Sequence, residues 1–211
     1  MPTATWDRLA ETRRDAVLNA AEAEFAEHGF SRGSLNVIAR NAGVAKGSLF
    51  QYFDDKNDLF GHLVDRAANR IGAAMDQCSD ALDWTAGFFP AFGTLLDAWM
   101  DYFHVNPHER ALTVRASLEL DPVTREAVTN AVDRRHVASL RPRLEAGREQ
   151  GWLRADADLD AFLSLLLLMM PQLAMAPALR TVSPVFGTDD VSNGRAGAHR
   201  LLAVLEVAFG T

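Results

Sequence analysis

The chain has 211 residues, of which 48% are hydrophobic and 23% charged, and its net charge is −7 at pH 7. This composition is typical of a globular protein with a sizeable core, and it excludes disordered, collagen-like and disulfide-rich classes. Cys78 is the single cysteine, so an internal disulfide and a cysteine-cluster metal site are excluded as well.

Apolar runs are short everywhere in the chain. The longest, at 165–171, falls well below the roughly 20 residues that cross a bilayer. Residues 1–15 carry charge but no apolar core of the kind that a secretion signal needs. We therefore expect a cytoplasmic protein without a membrane partner.

The spacing of apolar residues predicts an all-α fold, because they recur every three or four positions and no stretch alternates with period two. A first helix is predicted at 12–28, with Val17 and Phe25 on its apolar stripe and Glu24 away from that stripe. Gly29 supplies a left-handed helix end.

Two short helices follow, at 34–41 and 45–53, with Ser34 as N-cap of the first and Gly43 forming the tight turn between them. A longer helix then starts near Lys56. The short helices have an apolar set that lets them pack on the first one: Ile38, Ala42, Val44, Leu49 and Tyr52. This spacing is that of a helix-turn-helix.

Later helices are predicted at 90–105, 109–120, 122–150, 158–175 and 194–209, with Pro142 kinking or breaking the third of these. Turn formers dominate 177–194, which predicts a mobile surface loop.

The second short helix of a helix-turn-helix can enter the major groove of DNA. Its free face would present Lys46, Gly47, Ser48, Phe50 and Gln51. A glycine admits close backbone approach to phosphate, serine bonds phosphate or base, and glutamine pairs with adenine. The only two lysines, Lys46 and Lys56, bracket this helix, although surface lysines are common without any such role.

Charge distribution modifies this interpretation. Residues 1–61 have a net charge of −2, yet 29–53 contain three positive charges and no acid. A local positive patch is therefore expected within an acidic protein, with weak and salt-sensitive non-specific binding. A helix-turn-helix can also be mere core architecture.

The first 60 or so residues resemble the amino-terminal domain of the TetR/AcrR family of bacterial transcriptional regulators. The resemblance is carried by RRDAVLNAAEAEFAEHGF and SLNVIARNAGVAKGSLFQYFDDKNDLF, in that order. It implies a homodimer that binds double-stranded operator DNA, with a helix-turn-helix domain at 1–55 and a helical effector-binding and dimerisation domain at 56–211.

By position, the resemblance also implies DNA contacts from Ser34, Lys46, Ser48, Phe50, Gln51, Tyr52 and Lys56. Two residues depart from the family pattern. Phe50 stands where tyrosine is usual, which removes a phenol-to-phosphate bond, and Gln51 stands where histidine is frequent. The operator sequence therefore cannot be copied from relatives.

The rest of the chain carries no such resemblance, so its residues alone suggest roles. Two apolar stripes on the last two helices are candidates for a four-helix dimer interface, or else for an internal core: Leu163, Leu166, Leu167, Met170, Leu201, Leu202, Leu205 and Phe209. An apolar effector pocket is expected among Phe92, Leu95, Trp99, Met100, Phe103, Leu112 and Met169, although core packing explains each of them equally well.

We expect no metal and no cofactor. His104 and His108 lie four apart, but Asn106 and Pro107 interrupt the helix that would align them. Catalytic motifs such as GxSxG, HExxH and the P-loop are absent from the sequence, so an enzyme or small-molecule carrier is a remote alternative. The sequence favours a repressor released from its operator by a small, mainly apolar effector. An activator or an effector-independent regulator is the alternative.

Overall fold

The computed structural model describes the backbone of residues 2–117, 122–175 and 191–211, and within them every side chain except those at 117, 122–133 and 191–193. The described residues form helices, with no strand beyond one isolated bridge between Leu153 and Gly210, which confirms the all-α prediction. The helices are α1 Ala4–Asp7, α2 Glu11–Arg32, α3 Leu35–Asn41, α4 Lys46–Tyr52, α5 Lys56–Asp80, α6 Phe88–Val105, α7 Pro107–Ser117, α8 Pro122–Glu149, α9 Leu159–Met175 and α10 Val191–Phe209.

The chain divides into two compact units. The first comprises residues 1–69 and 107–132, and the second comprises 70–106 and 133–211. The predicted boundary after residue 55 therefore differs from the division in the structure, because α7 packs on α2 and joins the first unit. Helices α5 and α8 each contribute residues to both units.

The core of the first unit forms where the apolar stripe of α2 meets the later helices. Val17 and Phe25 are fully buried, and the Phe25 ring lies 5.1 Å from that of Phe60 on α5. Gly29 has φ 73°, as the sequence predicts, but helical hydrogen bonding resumes behind it as far as Arg32. The unit thus buries an aromatic cluster beneath the short helices.

The turn between α3 and α4 depends on Gly43, whose φ of 67° confirms the predicted left-handed conformation. The Val44 amide donates to the carbonyl of Ala39 at 2.9 Å, five residues back, and the Ala42 amide donates to Ile38. These bonds satisfy the last carbonyls of α3 in a Schellman-type ending. Because this ending is short, α4 begins at Lys46, five residues after α3 ends, and runs in a new direction.

The second unit is built around α6, which is buried along most of its length. Trp99 of α6 donates its indole N–H to the carbonyl of Met170 on α9 at 3.1 Å. On the polar side of α6, Asp97 accepts from His199 of α10 at 3.1 Å. Asp101, one turn later on α6, pairs with Arg195, one turn earlier on α10. Polar pairs at i, i+4 on each helix thus fix how α6 and α10 align.

Two predictions about helix boundaries can be compared with the structure. Helix α8 continues through Pro142 without a break, so of the two predicted outcomes, a kink or a break, the break is wrong. Helix α10 begins at Val191, so the predicted loop at 177–194 ends earlier than expected. The remainder of that loop, at 177–190, lies outside the described residues.

Candidate functional site

One face of α4 is exposed in the structure. Lys46, Gly47 and Gln51 are exposed, and Phe50 is 49% exposed, which is unusual for a large aromatic side chain. Ser48 is half-buried beside them. On the opposite face Leu49 is fully buried, so the helix presents its predicted DNA-contacting side chains away from the core.

Tyr52 and Lys56 do not belong to that exposed face. Tyr52 is only 6% exposed, and its ring lies 5.8 Å from that of Trp6, so it serves the core of the unit. The ammonium of Lys56 donates to the carbonyls of Phe30 at 2.8 Å, and of Ser31 and Gly33 at 3.3 Å.

Each of the three N–H donors of Lys56 is thus matched by a carbonyl at the end of α2, and the ammonium also lies 4.5 Å from the centre of the Phe30 ring. We assign Lys56 to capping α2, while its DNA contact stays a prediction. Ser34 takes the predicted N-cap position of α3, but its side chain makes no capping hydrogen bond.

The bond that Ser34 does make involves a buried carboxylate. Its amide donates to Glu24 Oε1 at 2.9 Å, and the Glu24 side chain is 8% exposed. The sequence placed Glu24 on the solvent side of α2, which is wrong. A carboxylate is stabilised there because it accepts from the first amide of the α3 turn, where partial positive charge accumulates.

The amino-terminal segment supports the end of α4, which the sequence did not predict. Trp6 is 4% exposed and its ring lies 4.8 Å from that of Phe53. The Thr3 amide donates to the carbonyl of Tyr52 at 3.0 Å, and the Thr3 hydroxyl donates to that of Gln51 at 2.5 Å. Trp6, a single large apolar residue in an otherwise polar stretch, is the feature of the sequence that could have indicated this packing.

A small cavity of about 30 Å³ lies within the second unit. Its lining is mostly apolar and comes from α5, α6, α8 and α9: Gly72, Met75, Phe92, Leu95, Leu96, Trp99, Arg135, His136, Ser139, Leu140 and Met170. This volume holds about two waters and is far below the roughly 300–1,000 Å³ of small-molecule sites.

The predicted pocket residues divide between the cavity and the core. Phe92, Leu95 and Trp99 line the cavity. Met100 and Phe103 are fully buried in packing, and Leu112 belongs to the first unit. Met169 is replaced by its neighbour Met170, because a shift of one position turns a helical side chain by about 100°.

Polar side chains that the sequence did not indicate close one end of the cavity. Arg135 Nη2 donates to Asp76 Oδ2 at 2.5 Å, and the Ser139 hydroxyl donates to Asp76 Oδ1 at 2.7 Å. Burial and the adjacent Arg135 lower the pKa of His136 to about 4, so its imidazole is neutral at pH 7. The ring lies 5.4 Å from that of Trp99.

The predicted dimer interface is mostly internal. Six of the eight residues are buried within their own chain, so they cannot meet a second copy: Leu163, Leu166, Met170, Leu202, Leu205 and Phe209. Leu167 and Leu201 are half-buried.

A different apolar stripe of α9 and α10 faces outward. Leu168 is 73% exposed and Val207 is 84% exposed, and Leu165 and Val204 lie three residues before them on the same helical faces. For the six buried residues the structure therefore favours the alternative of an internal core, because the core and an outer surface compete for the same leucine-rich helix.

Comparison with known proteins finds relatives that match part of this chain. The family described as bacterial regulatory proteins, tetR family, matches residues 17–63. The HTH-type transcriptional repressor BepR of Brucella suis biovar 1 is 45% identical over 58 residues, which are 28% of this chain and 27% of BepR. The regulator AcrR of Shigella flexneri is 36% identical over 63 residues, which are 30% of this chain and 29% of AcrR. The chain thus spans less than a third of the length of these two relatives.

Solved structures extend the likeness in fold to nearly the whole chain. The transcriptional regulator FadR from Bacillus subtilis, in complex with stearoyl-CoA, is 15% identical, with a TM-score of 0.73 over 90% of this chain and 96% of FadR. None of the described helices is both long and apolar enough to cross a membrane. The segment at 17–63 of this chain is thus similar to the family of bacterial regulatory proteins, tetR family.

Proposed function

We propose that the protein is a ligand-responsive transcriptional repressor that binds operator DNA as a homodimer. The observation that carries this proposal is the exposed face of α4, where Lys46, Gly47, Phe50 and Gln51 are available to a groove. BepR, which is 45% identical to this chain over 58 residues, is named a transcriptional repressor.

Each residue of the α4 face has a distinct task in the proposal. Lys46 attracts phosphate regardless of sequence, whereas Gln51 can donate to and accept from adenine and thus read sequence. No atom lies within 4 Å of the place where a Cβ would stand at Gly47, so backbone can come close to the duplex there. Phe50 supplies apolar contact to a thymine methyl group.

The dimer in this proposal forms through the outer stripe of α9 and α10. Leu165, Leu168, Val204 and Val207 are large apolar side chains exposed on two neighbouring helices. Two copies of such a surface can bury each other in a four-helix contact. The α4 helices of the two subunits then bind half-sites about 34–36 Å apart on the DNA.

Helix α5 provides the proposed connection between effector and operator. Its first residue, Lys56, is bonded to the end of α2, while Gly72 and Met75 of the same helix line the cavity. An effector that favours another position of α5 would therefore also change the bonds between Lys56 and the end of α2. FadR, whose fold is similar, binds an acyl thioester, which supports an apolar effector.

A gel shift with the DNA upstream of the protein's own gene tests the DNA-binding part. We expect Lys46→Ala to weaken binding to every sequence and to lower the salt slope by about one. Gln51→Ala should remove about 1–3 kcal/mol of discrimination between operator and altered sites. The exposed Gln77 of α5 gives a matched control, Gln77→Ala, which should bind like the parent. Equal behaviour of all three variants would contradict the assignment.

A further inference from the structure

A second opening in the second unit is large enough for a small molecule. This cleft has a volume of about 580 Å³, is partly open to solvent, and lies between the end of α5, the start of α6 and the end of α8. Its volume falls within the roughly 300–1,000 Å³ of small-molecule sites, unlike that of the small cavity beside Arg135. All of its lining residues belong to the second unit.

Aromatic side chains form much of the cleft wall. The Trp84 ring lies 5.9 Å from that of Phe88, and both line the cleft. Trp152 lines it as well and is 38% exposed. A Cβ placed at Gly87 would stand 3.8 Å from Trp152 Cζ3, so this indole packs beside the start of α6. Two indoles in one cleft offer π faces to a ligand.

Hydrogen bonds hold both tryptophans in place. The indole N–H of Trp84 donates to the carbonyl of Ser79 at 2.9 Å. Trp152 follows Gly151, whose φ is 78°, and the Trp152 amide donates to the carbonyl of Gly147 at 2.9 Å. The aromatic wall therefore exists before a ligand arrives, which lowers the entropic cost of binding.

The charge that the cleft offers to a ligand is negative. Arg143 is in the lining, but its side chain is only 20% exposed, and it donates through Nε to the Ser79 hydroxyl and through Nη1 to the Ser139 hydroxyl. Asp80 is 83% exposed, and its Oδ1 lies 3.9 Å from Arg143 Nη2, which is too far for a hydrogen bond. Residues 76–88 contain three acids and no basic residue. A carboxylate is thus available beside the aromatic wall, whereas the guanidinium is already engaged.

We propose that this cleft binds a planar aromatic cation, with its rings against Trp84 and Trp152 and its positive charge towards Asp80. The inference rests on the proposed function only in taking this ligand as the effector. Indole attracts cations more strongly than the other aromatic side chains do, and a carboxylate selects against anions. Ser79 and Asp80 belong to α5, so a ligand in the cleft would contact the helix that begins at Lys56.

Three acridines test the sign of the charge on one ring system. At pH 8 N-methylacridinium is a cation, acridine is neutral and acridine-9-carboxylate is an anion. Calorimetric titration of the full chain without DNA should show the cation binding at least about tenfold tighter than acridine, and the anion binding most weakly. Trp152→Ala should weaken the cation at least about fivefold, and Trp152→Phe should restore most of that loss because it keeps an aromatic face.

Asp80→Asn separates charge from ring contact. It should weaken N-methylacridinium at least about threefold and leave acridine within about twofold, because only the cation is attracted by the carboxylate. Asp65 is also an exposed aspartate of α5, so Asp65→Asn is the matched control and should bind the cation like the parent.

Three results would overturn the inference: no binding of N-methylacridinium by the folded parent, equal binding of the cation and acridine, or unchanged binding of the cation in both Trp152→Ala and Asp80→Asn. These titrations contain no DNA. Binding of the cation together with a failed gel shift would therefore contradict the proposed function alone, and a normal gel shift without binding of the cation would contradict this inference alone.

Discussion

The two lysines of the chain differ in how far the fold engages their side chains. Lys46 is exposed on α4, whereas the ammonium of Lys56 is surrounded by three carbonyls at the end of α2. Both bracket the same helix in the sequence, so their spacing predicts the same DNA-contacting role for each. Only the fold shows that one of them is already engaged.

Replacing each lysine by methionine should separate these roles. Lys56→Met leaves the carbonyls of Phe30 and Gly33 without a charged donor, so we expect the free energy of unfolding to fall by about 1–2 kcal/mol. Lys46→Met should change it by less than about 0.5 kcal/mol, as is usual at exposed sites. Urea unfolding followed by circular dichroism measures both. Equal stability of the two variants would remove the capping role from Lys56.

His136 predicts a dependence of stability on pH. Its pKa is about 4 in the folded chain and about 6.5 when unfolded, so the unfolded state binds more protons between these values. Its contribution is complete above about pH 6.5 and is lost as pH falls towards 4, with a slope of at most about 1.4 kcal/mol per pH unit.

Urea unfolding at pH 7.5 and pH 5.0 checks this. His136→Gln should reduce the loss of stability between the two pH values, whereas the exposed His104→Gln should keep the loss of the parent. A parent and a His136 variant with the same loss would show that this imidazole is not the titrating group.

At the scale of elements, α1 and the residues before it support the end of α4. Trp6 packs on Tyr52 and Phe53, and Thr3 bonds to the last carbonyls of α4. Trp6→Ala should therefore cost about 3–5 kcal/mol, as burial predicts, and loosen α4 first.

Hydrogen exchange followed by mass spectrometry locates this loss. Amides of 46–53 should exchange faster in Trp6→Ala, and affinity for the operator should fall with them. Trp152 is 38% exposed, so Trp152→Ala provides the control and should leave those amides unchanged. Faster exchange confined to 70–106 would place the role of Trp6 elsewhere.

The elements that the sequence predicted best are those defined locally. Gly43 demands a left-handed turn and Asp158 caps α9 through the amides of Asp160 and Ala161, and both effects involve neighbours in the chain. The face that a helix buries depends on partners distant in sequence. The exposed face of α4 could be predicted because the spacing of the two short helices is that of a helix-turn-helix. The buried face of α9 and the burial of Glu24 depend on distant partners, so the sequence did not predict them.

At the scale of the whole molecule, α5 and α8 each belong to both units, and α7 belongs to the first. Arg115 of α7 donates through Nε to the carbonyl of Ala26 at 2.8 Å and through Nη2 to that of Glu27 at 2.6 Å. The first unit thus includes a helix that lies far beyond the predicted boundary. A chain cut after residue 55 would lose Leu59 and Phe60, both fully buried, as well as this helix.

Dimerisation is the property of the whole molecule on which the proposed operator binding depends. If Leu168 and Val207 meet their counterparts in a second copy, aspartate at either position places an unpaired charge in an apolar contact, which costs several kcal/mol. Leu168→Asp and Val207→Asp should each shift the sedimentation of the protein from dimer to monomer.

The same variants should lose at least tenfold in operator affinity, because one subunit reaches only one half-site. Val105 of α6 is 70% exposed and lies on neither helix, so Val105→Asp isolates the effect of charge alone and should remain dimeric. If Leu168→Asp and Val207→Asp stayed dimeric as well, the stripe on α9 and α10 would not be the interface. A chain that was monomeric without any substitution would require another means of placing two α4 helices on one duplex.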